Sequence, residues 1–205
     1  MRNICVSGIH TDAGKSCVSA ALCAGLGYEY FKLVQAGSVT DADFVARLAP
    51  QVVRHAPGLM LATPASPHVG MAREGISADV LAIDPPRSEG VLVELAGGLY
   101  CPIGERGYMI DYIAAKRLPT FLVSRNYLGS INHTVLSLEA LKARNIEVLG
   151  VIFSRERDAD SEEFLARAYP ELPFFFLADF GENFANFEDA ARDLVGQIKR
   201  ANIQI

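Results

Sequence analysis

The sequence predicts an α/β fold in which helices flank a mostly parallel sheet. Short runs of apolar, β-branched and aromatic residues alternate along the chain with longer segments of helical periodicity. This order is typical of parallel strands joined by crossover helices. The chain has 205 residues, half of them hydrophobic, which is enough for one α/β domain and few for two. We therefore expect residues 1–205 to form a single domain.

Each predicted strand is a short apolar run, and each predicted helix has apolar residues at helical spacing. The strands are predicted at residues 3–7, 28–34, 90–94, 120–124, 147–153 and 173–177. The helices are predicted at residues 15–25, 41–48, 109–116, 130–144, 161–168 and 187–201. Residues 50–87 are rich in Pro, Ala and Ser, which indicates a long connection with one short helix at 67–74.

Charge and cysteine content exclude several kinds of partner. Acidic residues outnumber basic ones by 24 to 19, and no run of Lys and Arg could neutralise a phosphodiester backbone, so we expect no nucleic-acid partner. The sequence lacks the apolar segment of a signal peptide and the ~18 apolar residues of a membrane span, so we expect no membrane association. Four cysteines without metal-site spacing indicate reduced thiols in a cytoplasmic protein; they are Cys5, Cys17, Cys23 and Cys101.

Residues 8–16, with the sequence G-I-H-T-D-A-G-K-S, lie between the first predicted strand and the first predicted helix. This is the context of a phosphate-binding loop, in which backbone N–H groups hold the phosphates, Lys15 reaches the β- and γ-phosphates and Ser16 binds Mg²⁺. Five residues separate Gly8 from Gly14, one more than in the usual loop. Taken alone, the Gly-Lys-Ser tripeptide could also begin a helix after a glycine turn, without any ligand.

Two acidic residues lie where a metal ion could be bound. Glu94 ends a predicted strand, and sheets of this kind bind ligands at the carboxyl ends of their strands. Asp41 opens a predicted helix, where a carboxylate either caps the helix or binds a metal. Lys32 lies near the end of another strand, and by composition alone such a lysine is a solvated charge.

The stretched loop resembles that of the dethiobiotin synthetases, G-T-D-T-x-V-G-K-T, which this chain matches at Gly8, Thr11, Gly14, Lys15 and, conservatively, Ser16. Four further segments resemble the same family, in the same order along the chain. They are K-L-V-Q-A-G at 32–37 (family K-P-V-x-[ST]-G), P-A-S-P-H at 64–68 followed by E-G (family P-x-S-P-H…E-G), V-E-L-A-G-G at 93–98 (family V-E-G-A-G-G) and Y-L-G-S-I-N-H at 127–133 (family K-L-G-x-I-N-H).

The resemblance implies a P-loop NTPase fold and an enzyme that uses ATP and Mg²⁺ to close a cyclic urea on 7,8-diaminopelargonic acid with CO₂. It also implies a homodimer whose active sites are shared between subunits. The implied catalytic residues are Lys15, Lys32 and Thr11, and the implied metal ligands are Ser16, Asp41 and Glu94. The implied ATP contacts are Asp12, Ala13, Gly14, Lys15, Ser16, Cys17, Glu94 and Ser154. The implied substrate contacts are Thr11, Lys32, Ala36, Gly97, Gly129, Ser130 and Asn132.

Three of the departures from the family's pattern bear on the pocket or on the nucleotide. Leu95 replaces a glycine beside Glu94 and could narrow the pocket, and Ala36 replaces a serine or threonine. Ser154 replaces the asparagine that contacts the nucleotide base in the family, and its single hydroxyl offers fewer hydrogen bonds than an amide. We therefore expect weak discrimination among ATP, GTP and CTP.

Two other classes of protein share the phosphate loop. A small-metabolite kinase normally adds an arginine-rich lid, which the sequence lacks. A partition-type switch ATPase carries an extra lysine early in the loop, where this chain has His10. For the segment 127–133, a helix cap formed by Ser130 without any ligand is a further alternative.

Overall fold

The computed structural model describes residues 1–181 and 183–205. Its strands are β1 Ile4–Gly8, β2 Glu29–Lys32, β3 Val34–Ala36, β4 Leu59–Leu61, β5 Val91–Gly98, β6 Thr120–Arg125, β7 Val148–Arg155 and β8 Phe174–Ala178. Its helices are α1 Lys15–Leu26, α2 Asp41–Leu48, α3 Pro67–Glu74, α4 Met109–Lys116, α5 Ser130–Ala143, α6 Ala159–Ala168 and α7 Phe187–Arg200, with a 3-10 turn at Val80–Ala82.

Six strands form one sheet in the order β2-β5-β1-β6-β7-β8. Every neighbouring pair in this sheet is parallel, as the sequence predicts. Strands β3 and β4 form a separate parallel pair. Because parallel strands end at the same edge of a sheet, β1, β2 and β5 bring the phosphate loop, Lys32 and Glu94 to one edge.

Helices cover both faces of the sheet, because successive side chains of a strand point to opposite faces. On one face, α1, α2 and α7 pack against strand residues that include Val6 and Leu92. On the other face, α4, α5 and α6 pack against strand residues that include Cys5 and Val93. None of the helices in the described part of the chain is both long and apolar enough to cross a membrane.

The predicted strand at 28–34 is divided in the structure, which corrects the sequence-based boundary. At Leu33 the backbone changes partners, since its N–H donates to the Glu94 carbonyl at 3.0 Å while its carbonyl accepts from Leu59 N–H at 2.9 Å. The chain thereby leaves the large sheet and continues as β3. The connection 50–87 accordingly contains β4 as well as the predicted helix.

Among the other boundaries that differ from the prediction, two have a local reason. Strand β5 extends beyond Glu94 to Gly98, because Gly98 pairs with Gly8 of β1 after a shift in register. Helix α6 begins two residues early, because the Asp158 side chain accepts a hydrogen bond from Ser161 N–H at 3.3 Å and caps the first turn.

The register of the sheet determines which polar side chains meet. Lys32 lies directly opposite Glu94 in the β2–β5 pair, and Val6 of β1 lies on the other side of Glu94. Paired residues of neighbouring strands point to the same face. Lys32 and Glu94 therefore both point to the face that α1 covers, close to the start of that helix.

Candidate active site

The segment between β1 and α1 forms a loop around the side chain of Lys15, which is only 4% exposed. Its Nζ donates to the backbone oxygens of His10 and Thr11, at 3.0 and 2.9 Å. Gly14 precedes the helix with a φ of 97°, a left-handed conformation that favours glycine. A Cβ atom at Gly14 would lie 2.5 Å from the Ser154 hydroxyl oxygen, so close packing also requires glycine here.

Ser154 supports the loop from the end of β7. The residue is buried, and its hydroxyl donates to the Ala13 carbonyl at 2.5 Å. The family resemblance implies that Ser154 contacts ATP, whereas in the structure its hydroxyl donates to the phosphate loop. The difference arises because Gly14 has no side chain, which lets the short Ser154 side chain pack directly beneath the loop.

Four polar residues converge beside the loop. Ser16 Oγ lies 2.9 Å from Glu94 Oε1 and 3.1 Å from Asp41 Oδ1. Lys32 Nζ lies 2.8 Å from Glu94 Oε1 and 2.6 Å from Asp41 Oδ2. The Lys32 ammonium therefore pairs with both carboxylates, and the Ser16 hydroxyl lies between them. Lys32 is buried, so it is not the solvated charge that its composition alone suggested.

Asp41 is not the residue that caps α2. The cap is Thr40, whose side chain accepts a hydrogen bond from Asp43 N–H at 3.0 Å. The Asp41 carboxylate is instead directed at Lys32 and Ser16. The capping alternative for Asp41 is therefore wrong, and its carboxylate is available to a ligand in the site.

Burial and neighbouring charges set the protonation of these groups. Burial, followed by the nearby Lys32 ammonium, lowers the pKa of Lys15 to about 8. Burial also opposes the charge of Lys32, but Glu94 and Asp41 outweigh it and raise the pKa of Lys32 above its ordinary value. Burial alone would raise the pKa of Asp41, but Lys32 and Ser16 together lower it below its ordinary value.

A cavity of about 540 Å³ opens beside this cluster, a volume typical of small-molecule sites. Its lining brings together most of the residues that sequence analysis assigned to a site. These are Thr11, Asp12, Lys15, Ser16, Lys32, Ala36, Asp41, Glu94 and Gly97. Ser66 and Pro67, from the segment 64–68, line the cavity as well. Ala13, Gly14 and Cys17 complete the loop and the first turn of α1.

Two polar residues that the sequence patterns did not indicate contact Glu94 and Asp41. Tyr30 donates to Glu94 Oε2 at 3.1 Å, and burial together with Glu94 raises the pKa of Tyr30 well above its ordinary value. Gln35 Oε1 accepts from Asp41 N–H at 2.9 Å. Tyr30 occurs in an apolar run and is indistinguishable there from a core residue, whereas Gln35 lies inside the K-L-V-Q-A-G match and could have been noticed.

The donor set of the cluster suits a magnesium ion. Ser16, Asp41 and Glu94 offer only oxygen atoms, which are the ligands that Mg²⁺ prefers. Across residues 1–181 and 183–205, no group of three or more His, Cys, Asp and Glu side chains is arranged to hold a metal ion. A divalent ion would therefore depend on two carboxylates, the serine hydroxyl and additional oxygens from a phosphate ligand.

One family model and several named relatives match most of the length of this chain. A family model described as "AAA domain" matches residues 2–175. A Campylobacter jejuni protein named ATP-dependent dethiobiotin synthetase BioD is 46% identical over 180 residues, covering 88% of this chain and 89% of the relative. The chain belongs to the dethiobiotin synthetase family. A relative of the same name from Paramagnetospirillum magneticum is 40% identical and covers 77% of this chain and 78% of its own length. Another from Afipia carboxidovorans is 42% identical and covers 79% of this chain and 80% of its own length.

Solved structures with much lower identity share the fold of this dethiobiotin synthetase family member. The cell division ATPase MinD of Pyrococcus furiosus has a TM-score of 0.54 at 16% identity, covering 98% of this chain and 99% of that chain. The MinC:MinD complex of Aquifex aeolicus gives a TM-score of 0.54 at 12% identity, covering 98% of this chain and 95% of that chain. These matches show a P-loop NTPase fold and carry no information on the reaction.

The substrate residues that the family resemblance places on α5 lie outside this cavity. Gly129, with a φ of 101°, precedes the helix. Asn132 is exposed, while Ser130 is buried and its backbone N–H donates to Tyr127 O at 2.9 Å. The N-cap of α5 is Gly129, and Ser130 is already the first residue of the helix, so Ser130 is not the capping residue.

Leu95, the departure from the family beside Glu94, does not narrow the cavity. Its side chain is fully buried and packs in the apolar layer on the opposite face of the sheet from α1. Neighbouring residues of a strand point to opposite faces. The Leu95 side chain therefore points away from Glu94 and the site.

Proposed function

We propose that this chain catalyses the ATP-dependent formation of dethiobiotin from 7,8-diaminopelargonic acid and CO₂. The observation that carries the proposal is the convergence of Lys15, Ser16, Lys32, Asp41 and Glu94 on one cavity at the end of a phosphate-binding loop. The identity to proteins named dethiobiotin synthetase over most of their length supports it.

The reaction requires placement and charge stabilisation more than a side-chain nucleophile. The 7-amino nitrogen attacks CO₂ and loses a proton, which gives a carbamate. A carbamate oxygen then attacks the γ-phosphorus of ATP, and ADP leaves. The 8-amino nitrogen attacks the carbonyl carbon of this mixed anhydride, and the ring closes as phosphate and a proton leave.

The residues of the cavity supply what these steps need. Lys15, in its protonated form, neutralises charge on the transferring phosphoryl group, and backbone N–H groups of the loop bind the phosphates. Lys32 stabilises the anionic carbamate, and Thr11 orients it. Ser16, Asp41 and Glu94 would hold Mg²⁺, which would neutralise phosphate charge when bound. The walls of the cavity hold the two reactants in place, and such positioning alone can lower the reaction barrier substantially.

We extend the proposal to the assembly and the setting of the enzyme. A homodimer would bring Gly129, Ser130 and Asn132 of one subunit to the cavity of the other, where the Gly129 N–H and the Asn132 side-chain amide would bind the substrate carboxylate. The position of these residues outside their own cavity supports this arrangement. The proposed enzyme is a single domain and acts in the cytoplasm.

A direct assay tests the function. Diaminopelargonate, bicarbonate, MgCl₂ and ATP are incubated with the protein, and dethiobiotin is measured by mass spectrometry. We expect dethiobiotin to form in proportion to ADP, and Asp41→Asn and Glu94→Gln to lose most of the activity at limiting Mg²⁺ while remaining folded. If no dethiobiotin forms, the function is wrong. If both variants keep near-normal turnover at limiting Mg²⁺, the metal assignment is wrong.

A further inference from the structure

We propose that Tyr30 is a positioning residue, whose hydroxyl orients the Glu94 carboxylate toward Ser16 and Lys32. Among the described residues, Tyr30 does not line the cavity and forms no hydrogen bond with the phosphate loop. It would therefore act through Glu94 alone. The proposal rests on the proposed function, because it assigns Glu94 to the binding of Mg²⁺·ATP.

The register of the sheet puts Tyr30 within reach of Glu94. Tyr30 pairs with Leu92, and Lys32 pairs with Glu94, so all four side chains point to the face covered by α1. Tyr30 lies two residues before Lys32 in β2. Its phenol ring extends along this face, and its hydroxyl lies 3.1 Å from Glu94 Oε2. Tyr30 and Glu94 are both fully buried.

The backbone of Tyr30 is fixed on both sides, so its side chain has a defined origin. On one side β2 pairs with β5. On the other side, Tyr30 N–H donates to Val53 O at 2.8 Å, and Tyr30 O accepts from His55 N–H at 2.9 Å. A residue held by two neighbouring segments is suited to fixing the direction of a partner side chain.

The two carboxylate oxygens of Glu94 have different hydrogen-bond partners. Oε2 accepts from Tyr30, whereas Oε1 faces Ser16 Oγ at 2.9 Å and Lys32 Nζ at 2.8 Å. Leaving a buried carboxylate oxygen without a hydrogen-bond donor costs free energy, so the carboxylate rotates toward another donor. Without the Tyr30 hydroxyl, we expect Glu94 to sample orientations in which Oε1 no longer faces the cluster.

The chain provides a matched control in Tyr28. It is buried as well, but its hydroxyl has no hydrogen-bond partner among the described residues. Tyr28→Phe and Tyr30→Phe thus remove the same atom from neighbouring buried positions. Only the second change removes a contact with Glu94, so a difference between the variants reports that contact.

The experiment measures metal binding and catalysis separately. The dissociation constant of Mn²⁺ is measured by electron paramagnetic resonance with a non-hydrolysable ATP analogue present, and kcat and the KM for Mg²⁺ are measured in the dethiobiotin assay. We expect Tyr30→Phe to weaken Mn²⁺ binding and raise the KM for Mg²⁺ about tenfold, as the loss of one charged hydrogen bond predicts. We expect kcat at saturating Mg²⁺ to change by less than about twofold, and Tyr28→Phe to match the wild type.

A double variant tests whether the effect passes through Glu94. In a Glu94→Gln background, Tyr30→Phe should weaken Mn²⁺ binding no further. Equal Mn²⁺ affinities for Tyr30→Phe and Tyr28→Phe would overturn the proposal. So would a wild-type chain that binds no Mn²⁺, or a Tyr30→Phe chain that fails to fold while Tyr28→Phe folds. If the wild type makes no dethiobiotin, the proposed function fails, yet the Mn²⁺ comparison still decides the role of Tyr30.

Discussion

Lys15 should lose its proton within the pH range of ordinary assays, because burial and the Lys32 ammonium lower its pKa to about 8. Below that pH the side chain is a cation that attracts the phosphates of ATP, and above it the side chain is neutral. We expect kcat/KM for ATP to be full near pH 7 and to fall by up to about tenfold per pH unit well above pH 8, since this ratio reports groups of the free enzyme.

The control for this pH dependence is Lys15→Arg, whose guanidinium stays protonated throughout the range. Its activity will be lower, because the geometry of the two side chains differs, but its profile should be flat across pH 8. A fall of kcat/KM with the same midpoint in the Arg variant would assign the titration to another group.

Ser154 leads to a prediction about nucleotide choice. Its hydroxyl donates to Ala13 O and lies buried under the loop, so it has no free donor for a base. We expect GTP and CTP to be used within about tenfold of ATP in kcat/KM, a difference of ~1.4 kcal/mol. Measuring the three nucleotides side by side checks this, and an ATP preference above about a hundredfold would contradict it.

The variant Ser154→Ala separates support of the loop from contact with a base. We expect it to lower the free energy of unfolding by about 1 kcal/mol and to leave the ratio among the three nucleotides unchanged. If that ratio changes, Ser154 contacts the base. The other candidates for a base contact are the amides of Asn183 and Asn186, in the segment 178–186, of which Glu182 lies outside the described residues.

Individual site residues differ in how far the sequence predicts them. Lys15 and Ser16 follow from the strand-loop-helix context, and Lys32 and Glu94 follow from the order of the family-like segments. Asp41 follows from its place at the start of a predicted helix. Their functional roles stay predictions. Tyr30 could not be found in this way, because its bond to Glu94 depends on strand register and its sequence context is that of an ordinary core residue.

At the level of elements, the short loop that leads into α2 is held together by Gln35. Its Nε2 donates to the backbone oxygens of Ala36 and Val39, at 3.2 and 3.3 Å, while its Oε1 accepts from Asp41 N–H. This side chain therefore links the end of β3 to the first residue of α2. We expect the orientation of the Asp41 carboxylate to depend on that link.

We expect Gln35→Met to raise the KM for Mg²⁺ about three- to tenfold, because it removes neutral hydrogen bonds worth about 0.5–1.5 kcal/mol each. Thr40→Ala is the matched control in the same loop. It removes the cap of α2 and should cost about 1 kcal/mol of stability with a smaller change in the KM for Mg²⁺. Thermal unfolding and Mg²⁺ titration of both variants check this, and equal effects on the KM would contradict the assignment to Gln35.

The long elements of the fold were predictable, whereas β3 and β4 were not. The strands and helices of the large sheet have clear periodicity, and their predicted positions are confirmed to within a few residues. Strand β3 continues an apolar run without a break in composition. Its separation from β2 results from the change of hydrogen-bond partners at Leu33, a long-range contact that local patterns do not record.

At the level of the whole molecule, the proposed dimer predicts complementation between two inactive chains. One chain carries Lys15→Ala, and the other carries Gly129→Ala with Asn132→Ala. If each active site combines the phosphate loop of one subunit with α5 of the other, every mixed dimer retains one intact site. Random mixing should then restore roughly a quarter of the wild-type activity, since half the dimers are mixed and half their sites are intact.

This mixing experiment requires proof that mixed dimers form, for example by native mass spectrometry with one chain isotopically labelled. Each variant assayed alone should remain inactive, which excludes reversion and contamination. Mixed dimers that regain no activity would show that sites are not shared. Monomers at assay concentration would exclude the dimer itself.

The pairing of Lys32 with Glu94 across β2 and β5 also limits how this chain can change in length during evolution. Deleting one residue within β2 ahead of Lys32 would turn the lysine to the opposite face of the sheet, because strand side chains alternate. The same change in an exposed connection such as 84–89 would leave the pair intact. Insertions and deletions that survive selection should therefore accumulate in the connections and be absent from these two strands.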